Sequence, residues 1–220
     1  MRENGLALAF CALFVASVVG QAFTGLALFN DEQRDAGLEP ITLGAYVTSS
    51  AFAVDVSENW QSEYLQFLLY IVLTVWLVQR GSPESKELDQ PGRETDREQR
   101  VAEFATDGSP AWARVRGPRL SLYSHSLSLV MGTVFVLSWL TQSITGASAF
   151  DEQRLRDLQD PVTWVQYLAM PEFWSRTLQN WQSEFLAVAS MVVFAIYLRE
   201  RGSPESKPVG AAHHDTGLTG

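Results

Sequence analysis

Glu63 and Glu184 are the residues in this sequence best placed to do chemistry. Each closes the same pentapeptide, Asn59-Trp60-Gln61-Ser62-Glu63 and Asn180-Trp181-Gln182-Ser183-Glu184, and each stands at the mouth of an apolar run, Tyr64 to Val78 or Phe185 to Leu198. A carboxylate beside hydrocarbon is costly, so it is either satisfied by polar neighbours or used to hold a proton or cation. Helical spacing supplies the neighbours: Ser17, Gln21 and Thr24 fall on one face of the first apolar run, and Ser138, Gln142 and Thr145 repeat them on the third. Counted from the helix middles, Gln21 and Thr24 lie roughly 5 to 10 Å outward of a bilayer centre and Glu63 about 10 Å outward. The spacing therefore predicts two polar clusters: Gln21, Thr24, Asn59, Gln61 and Glu63, then Gln142, Thr145, Asn180, Gln182 and Glu184. One use of such clusters is to fasten helices, at roughly 0.6 to 2 kcal/mol per hydrogen bond. The other is a proton or cation site, or a polar vestibule for a small substrate. Trp60 and Trp181 take the place of interface anchors.

The elements that must position these residues are four apolar runs separated by polar stretches. They read as transmembrane helices at about 6–29, 60–79, 125–147 and 181–199, apolar all round and without a charged face. About 20 residues at 1.5 Å each cross a hydrocarbon core of about 30 Å, whereas Tyr64 to Val78 alone covers only about 22 Å. The pentapeptides must then enter the outer leaflet or the bilayer must thin. The first run has the look of a signal peptide, with Gly20-Gln21-Ala22 as a small-residue site. Its counterpart, Leu127 to Ala147, lies deep inside the chain, so the first run reads as a retained helix. The expected fold is an all-α membrane protein with four transmembrane helices, arranged as two tandem repeated helical hairpins.

The repeat rests on several motifs. Asp31-Glu32-Gln33-Arg34 returns as Asp151-Glu152-Gln153-Arg154, Pro40…Tyr46 as Pro161…Tyr167, and Arg80-Gly81-Ser82-Pro83-Glu84-Ser85-Lys86 as Arg201-Gly202-Ser203-Pro204-Glu205-Ser206-Lys207. The offset is constant apart from a one-residue adjustment around Phe150 to Arg154. The resulting organisation is repeat 1 over 1–86, a charged cytoplasmic linker over 87–119, repeat 2 over 120–207 and a disordered tail over 208–220. Thr42 is the predicted N-cap of a short helix carrying Leu43, Tyr46 and Val47. A second helix is predicted from Ser49-Ser50 to Gln79-Arg80, with Ser82-Pro83-Glu84 opening a new one. Lys and Arg concentrate at the N-terminus, linker and C-terminal end, which the positive-inside rule places in the cytoplasm.

Composition excludes several functions. The net charge of −9 argues against a nucleic-acid partner. Cys11 is the single cysteine, so an internal disulfide, a thiol redox pair and a multi-cysteine zinc site are ruled out. His125 stands alone, and His213 and His214 are in the tail, which leaves no paired histidines for haem. Asp31-Glu32 and Asp151-Glu152 offer oxygen ligands to a divalent cation, but each pair is followed by an arginine that would satisfy it. No catalytic set, phosphate loop, metal centre or cofactor site emerges.

The duplicated Asn-Trp-Gln-Ser-Glu-(Tyr/Phe)-Leu and Arg-Gly-Ser-Pro-Glu-Ser-Lys motifs resemble those of a bacterial family of integral membrane proteins classed as a domain of unknown function. The resemblance implies a multi-pass protein of the bacterial inner membrane and carries no activity or catalytic residues with it. The expected function is a non-enzymatic membrane scaffold or partner-binding module. The alternative is a small proton- or cation-linked transporter or channel using Glu63 and Glu184. Expected partners are the lipid bilayer and either a membrane-protein partner or further copies of the chain.

Overall fold

A helix of 31 residues, α1 (Gly5–Asp35), grows from a run of Ala, Leu, Phe and Val that no proline interrupts. It stops at a left-handed residue, Gly37, with φ 71°. There the Leu38 amide donates to Gln33 O at 2.8 Å and the Gly37 amide to Arg34 O at 2.9 Å, a Schellman closure. The computed structural model describes residues 2–219 and contains seven α-helices, three short 3-10 turns and, among the described residues, no strand. After α1 come α2 (Leu43–Val47), α3 (Ser50–Leu73), α4 (Pro118–Ser124), α5 (Ser126–Arg156), α6 (Trp164–Leu168) and α7 (Pro171–Tyr197). The all-α expectation holds. Among the described residues two helices, α1 and α5, are long and apolar enough to cross a membrane, not four. The difference has a local cause: the N-terminal halves of α3 and α7 carry Asp55, Glu58, Glu172 and Arg176, and α3 ends at Leu73, short of the expected Gln79.

The chain forms two compact units. The first is built from the residues up to Asn59 together with Ser138–Arg176. Its two halves use the same devices. Asn30 brackets Ile41, accepting from its amide at 2.7 Å and donating to its carbonyl at 3.0 Å. Asp151 accepts from the Val162 amide at 2.8 Å. Thr42 caps α2 as expected, accepting from the Ala45 amide, and Thr163 caps α6 in a full capping box with Gln166. Tyr46 packs between Phe29 and Phe52, with ring centroids 5.6 and 5.4 Å away, and Tyr167 packs between Phe150 and Phe173 at 5.6 and 5.7 Å. Each tyrosine lays its hydroxyl against a glycine of the long helix: Tyr46 on Gly25, and Tyr167 on Gly146, where an added Cβ would stand 2.7 Å from the hydroxyl oxygen. The closure of α5 copies that of α1, with the Gln159 amide donating to Arg154 O at 2.8 Å and Leu158, φ 56°, standing where Gly37 stands. These pairs share the offset that relates Asn59 to Asn180, so the one-residue adjustment expected around Phe150 is not used.

The second unit comprises Trp60–Leu137 and the residues from Thr177 onward. Here the repeated heptapeptide makes a turn and not the helix expected from Ser82-Pro83-Glu84. The reason is competition from side chains. Ser85 Oγ accepts from the Gln79 amide at 2.8 Å and donates to Lys86 O at 3.0 Å, while Gly81 takes φ 85°. Ser206 does the same with the Glu200 amide at 2.9 Å and Lys207 O at 3.1 Å, with Gly202 at φ 84°. Lys86 Nζ then reaches forward to Gly92 O at 2.6 Å, and Lys207 Nζ to the carbonyls of Ala212, His213 and Asp215 at 2.9 to 3.1 Å. The tail, expected to be disordered, therefore folds as a turn around a buried ammonium. It also joins the first heptapeptide: the Gly81 amide donates to Thr216 Oγ1 at 2.9 Å, and the Gly217 amide to Ser82 O at 3.0 Å. The charged linker holds only two 3-10 turns, Ala102–Phe104 and Ala111–Arg114, tied by an Arg116–Glu103 ion pair at 2.6 Å.

Candidate functional site

The polar residues singled out by spacing divide between the two units. In the first, Thr24 and Thr145 turn their hydroxyls back onto their own helix, donating to Gly20 O at 2.9 Å and Thr141 O at 2.8 Å. Asn59 does likewise, with its Nδ2 on Asp55 O at 2.8 Å. Gln21 is half-buried, and Gln142 is buried with its Oε1 lacking a protein partner. In the second unit Gln61 is fully buried, and its Oε1 accepts from Trp181 Nε1 at 2.7 Å, so the Trp181 indole is engaged by protein. Trp60 is exposed. Glu63 is exposed, Glu184 half-buried, and Glu63 is the charged neighbour whose field acts on Glu184. Asn180 is half-buried and Gln182 exposed.

A second group in that unit joins Tyr70 of α3 to the repeated heptapeptides. Tyr70 donates to Glu84, and Glu84 stands near Glu205, the matching residue of the other heptapeptide. The proximity of Glu84 pushes the Glu205 carboxyl above its usual range. Gln66, Tyr70 and Glu84 line one side of a cavity of about 290 Å³ whose other side is Ala187, Val188, Met191 and Val192.

The larger cavity, about 440 Å³, belongs to the first unit. Its walls bring together Phe29 and Glu32 of α1, Ala51, Val54 and Asp55 of α3, Gly146, Phe150, Glu152 and Arg156 of α5, Tyr167 of α6, and Glu172 and Arg176 of α7. Arg176 is its anchor. Its Nε donates to Glu58 at 2.8 Å and its Nη2 to Asp55 at 3.1 Å, the helical i, i+3 pair presenting both carboxylates to one guanidinium. Burial lifts both carboxyls above their ordinary range despite the pull of Arg176. Burial would lower the Arg176 value, but Glu58 and Asp55 outweigh it and raise it. The carboxyls are the groups that titrate here, since a guanidinium does not lose its proton in proteins. Arg156 lies over the Phe29 ring at 5.6 Å and Arg154 over Phe150 at 5.8 Å.

Asp31 is claimed by Arg34, as its spacing suggested, and among the described residues no three His, Cys, Asp or Glu gather to hold a metal. Asp55, Glu58 and Arg176 were not legible as a site. The available signal was that Asp55 and Arg176 occupy matching positions of the repeat with opposite charges.

Comparison with known proteins follows this geometry. The family described as a domain of unknown function (DUF6766) matches residues 1–218. No curated protein and no solved structure gives a match. Matched over nearly its whole length, the chain belongs to the DUF6766 family.

Proposed function

We propose that this is a four-span protein of the bacterial inner membrane, with both termini and the central linker inside, whose outward connections form a non-enzymatic binding module. The observation that carries the reading is the charged cavity of the first unit, lined from residues 29–55 and 146–176, within the two connections that hold four of the sixteen Lys and Arg. Support for the spans comes from α1 and α5, and from the apolar exterior of the shorter helices, where Phe67, Val72 and Leu73 of α3 and Leu186, Val193 and Phe194 of α7 are exposed. Residues 60–73 of α3 rise about 21 Å, so the turn after Leu73 completes that crossing.

The test is topological. In a Cys11→Ser background, Ala149→Cys at the cavity wall should react with an impermeant thiol reagent added to intact cells, and a cysteine replacing Arg97 should not. The reverse pattern removes the reading.

A second reading, a proton- or cation-linked transporter, is favoured by the nearness of Glu63 to Glu184, close enough for its charge to act there. It requires that Glu63→Gln with Glu184→Gln abolish flux in reconstituted vesicles while thermal stability is retained. No flux by the parent protein under several gradients ends it.

A further inference from the structure

We propose that the cavity of the first unit binds a small organic ammonium ion. The inference rests on the binding-module reading and specifies its ligand. The volume, about 440 Å³, lies in the range of small-molecule sites, roughly 300 to 1,000 Å³. The charges decide the class. Four carboxylates and two guanidiniums line the cavity, leaving two net negative charges. Arg176 is already held between Asp55 and Glu58. Among the described residues no ion pair engages Glu32, Glu152 or Glu172.

These three acids come from α1, α5 and α7, and they are too dispersed to make a metal site. A calcium ion needs 6 to 8 oxygens at about 2.3 to 2.6 Å, whereas an extended diammonium carries its charges several ångströms apart. The apolar part of the wall suits the carbon chain of such a ligand. Phe29 already supports the guanidinium of Arg156, itself a cavity residue, over its ring, so an aromatic face of this wall already carries a cation. Arg156 thus occupies ground that a ligand ammonium would share, and it repels that ligand.

The two exposed charges therefore have opposite predicted effects, which a purely structural role would not produce. The full chain in uncharged detergent is titrated calorimetrically with butane-1,4-diammonium, and in parallel with succinate, butane-1,4-diol and Mg²⁺. The diammonium should bind in a salt-sensitive way. Glu152→Gln should weaken it by about threefold to tenfold, and Arg156→Gln should tighten it by a similar factor. Unchanged melting temperatures show that both variants fold. Diammonium affinity indifferent to both substitutions overturns the proposal. So does Mg²⁺ competing with the same sensitivities, because that is a metal-ion site. Succinate or the diol binding in place of the diammonium, with affinity moved by either substitution, overturns the cationic class but leaves the binding module standing. Silence of every probe overturns both, and failure of Ala149→Cys to label from outside removes the module on separate grounds.

Discussion

Arg176 follows Asp55 by 121 residues, the matching position of the repeated sequence, and the two side chains form an ion pair at 3.1 Å. The position thus carries an acid on α3 and a base on α7, and the ion pair ties the two helices together. Glu58 strengthens the arrangement with a second bond at 2.8 Å. Removing the base alone leaves two part-buried carboxylates facing each other. Arg176→Ala should cost about 2 kcal/mol. The exchange Asp55→Arg with Arg176→Asp should recover most of that loss. Chemical unfolding of the parent, Asp55→Arg, Arg176→Asp and the double exchange, read as a double-mutant cycle, checks the coupling.

Stability should depend on pH through the same group. Burial, the largest influence on Asp55 and Glu58, raises both above their ordinary values of 3.8 and 4.5. The folded chain therefore holds these protons more tightly than the unfolded chain. The stabilisation is fully present below the ordinary values and is lost as pH rises through the raised ones. Melting temperature should fall over that window, and the slope should diminish in Asp55→Asn with Glu58→Gln. A rising melting temperature that owes its slope to these two residues would contradict the assignment.

Gly146 is required by Tyr167. A Cβ there would meet the phenolic oxygen at 2.7 Å and ring carbons at 3.3 Å. Gly146→Ala should destabilise by about 1–3 kcal/mol, and Tyr167→Phe should return part of it by removing the oxygen. Gly25 and Tyr46 should behave alike. Limited proteolysis between α5 and α6, with the melting temperature, reads the effect.

Leu158 carries a left-handed backbone, φ 56°, at the position where the first half has Gly37, and its side chain is 96% exposed. With no packing to lose, Leu158→Gly should stabilise by about 1 kcal/mol. Gly37→Leu should cost a similar amount, measured by denaturant midpoint.

Lys207 is the post around which residues 208–217 wrap. It is 1% exposed and donates to three carbonyls. Burial lowers its pKa, and the carbonyls supply what an ammonium needs to remain buried. Lys207→Met should release the tail, raising exchange of the Asp215 and Gly217 amides, which donate to Ala212 O and Ser82 O, while exchange in α5 stays unchanged.

Much of the local structure was legible from spacing. Thr42 as a cap, the apolar extents of α1 and α5 and the helical nature of the whole chain depend on residues within one or two turns of each other. Local reading failed where side chains a few positions away competed for the backbone. Ser82-Pro83-Glu84 has the composition of a helix start, yet Ser85 and Lys86 satisfy the same backbone groups as a turn. The tail misled in a related way, because its polar composition conceals a buried lysine that gathers its carbonyls.

By itself, then, the sequence determined the helical class, the extents of α1 and α5, the Thr42 cap and the repetition of Asn-Trp-Gln-Ser-Glu and Arg-Gly-Ser-Pro-Glu-Ser-Lys. All of these are set by neighbours a few residues apart. Only the tertiary structure decided which side chains meet: Arg176 with Asp55 and Glu58, and Trp181 with Gln61. Those partners lie more than a hundred residues apart, and no periodicity records which face of one helix packs against which face of another. The glutamates of the repeated pentapeptide drew attention for standing beside hydrocarbon. The cavity formed instead around an arginine and two acids whose opposite charges needed the fold to bring them within hydrogen-bonding distance.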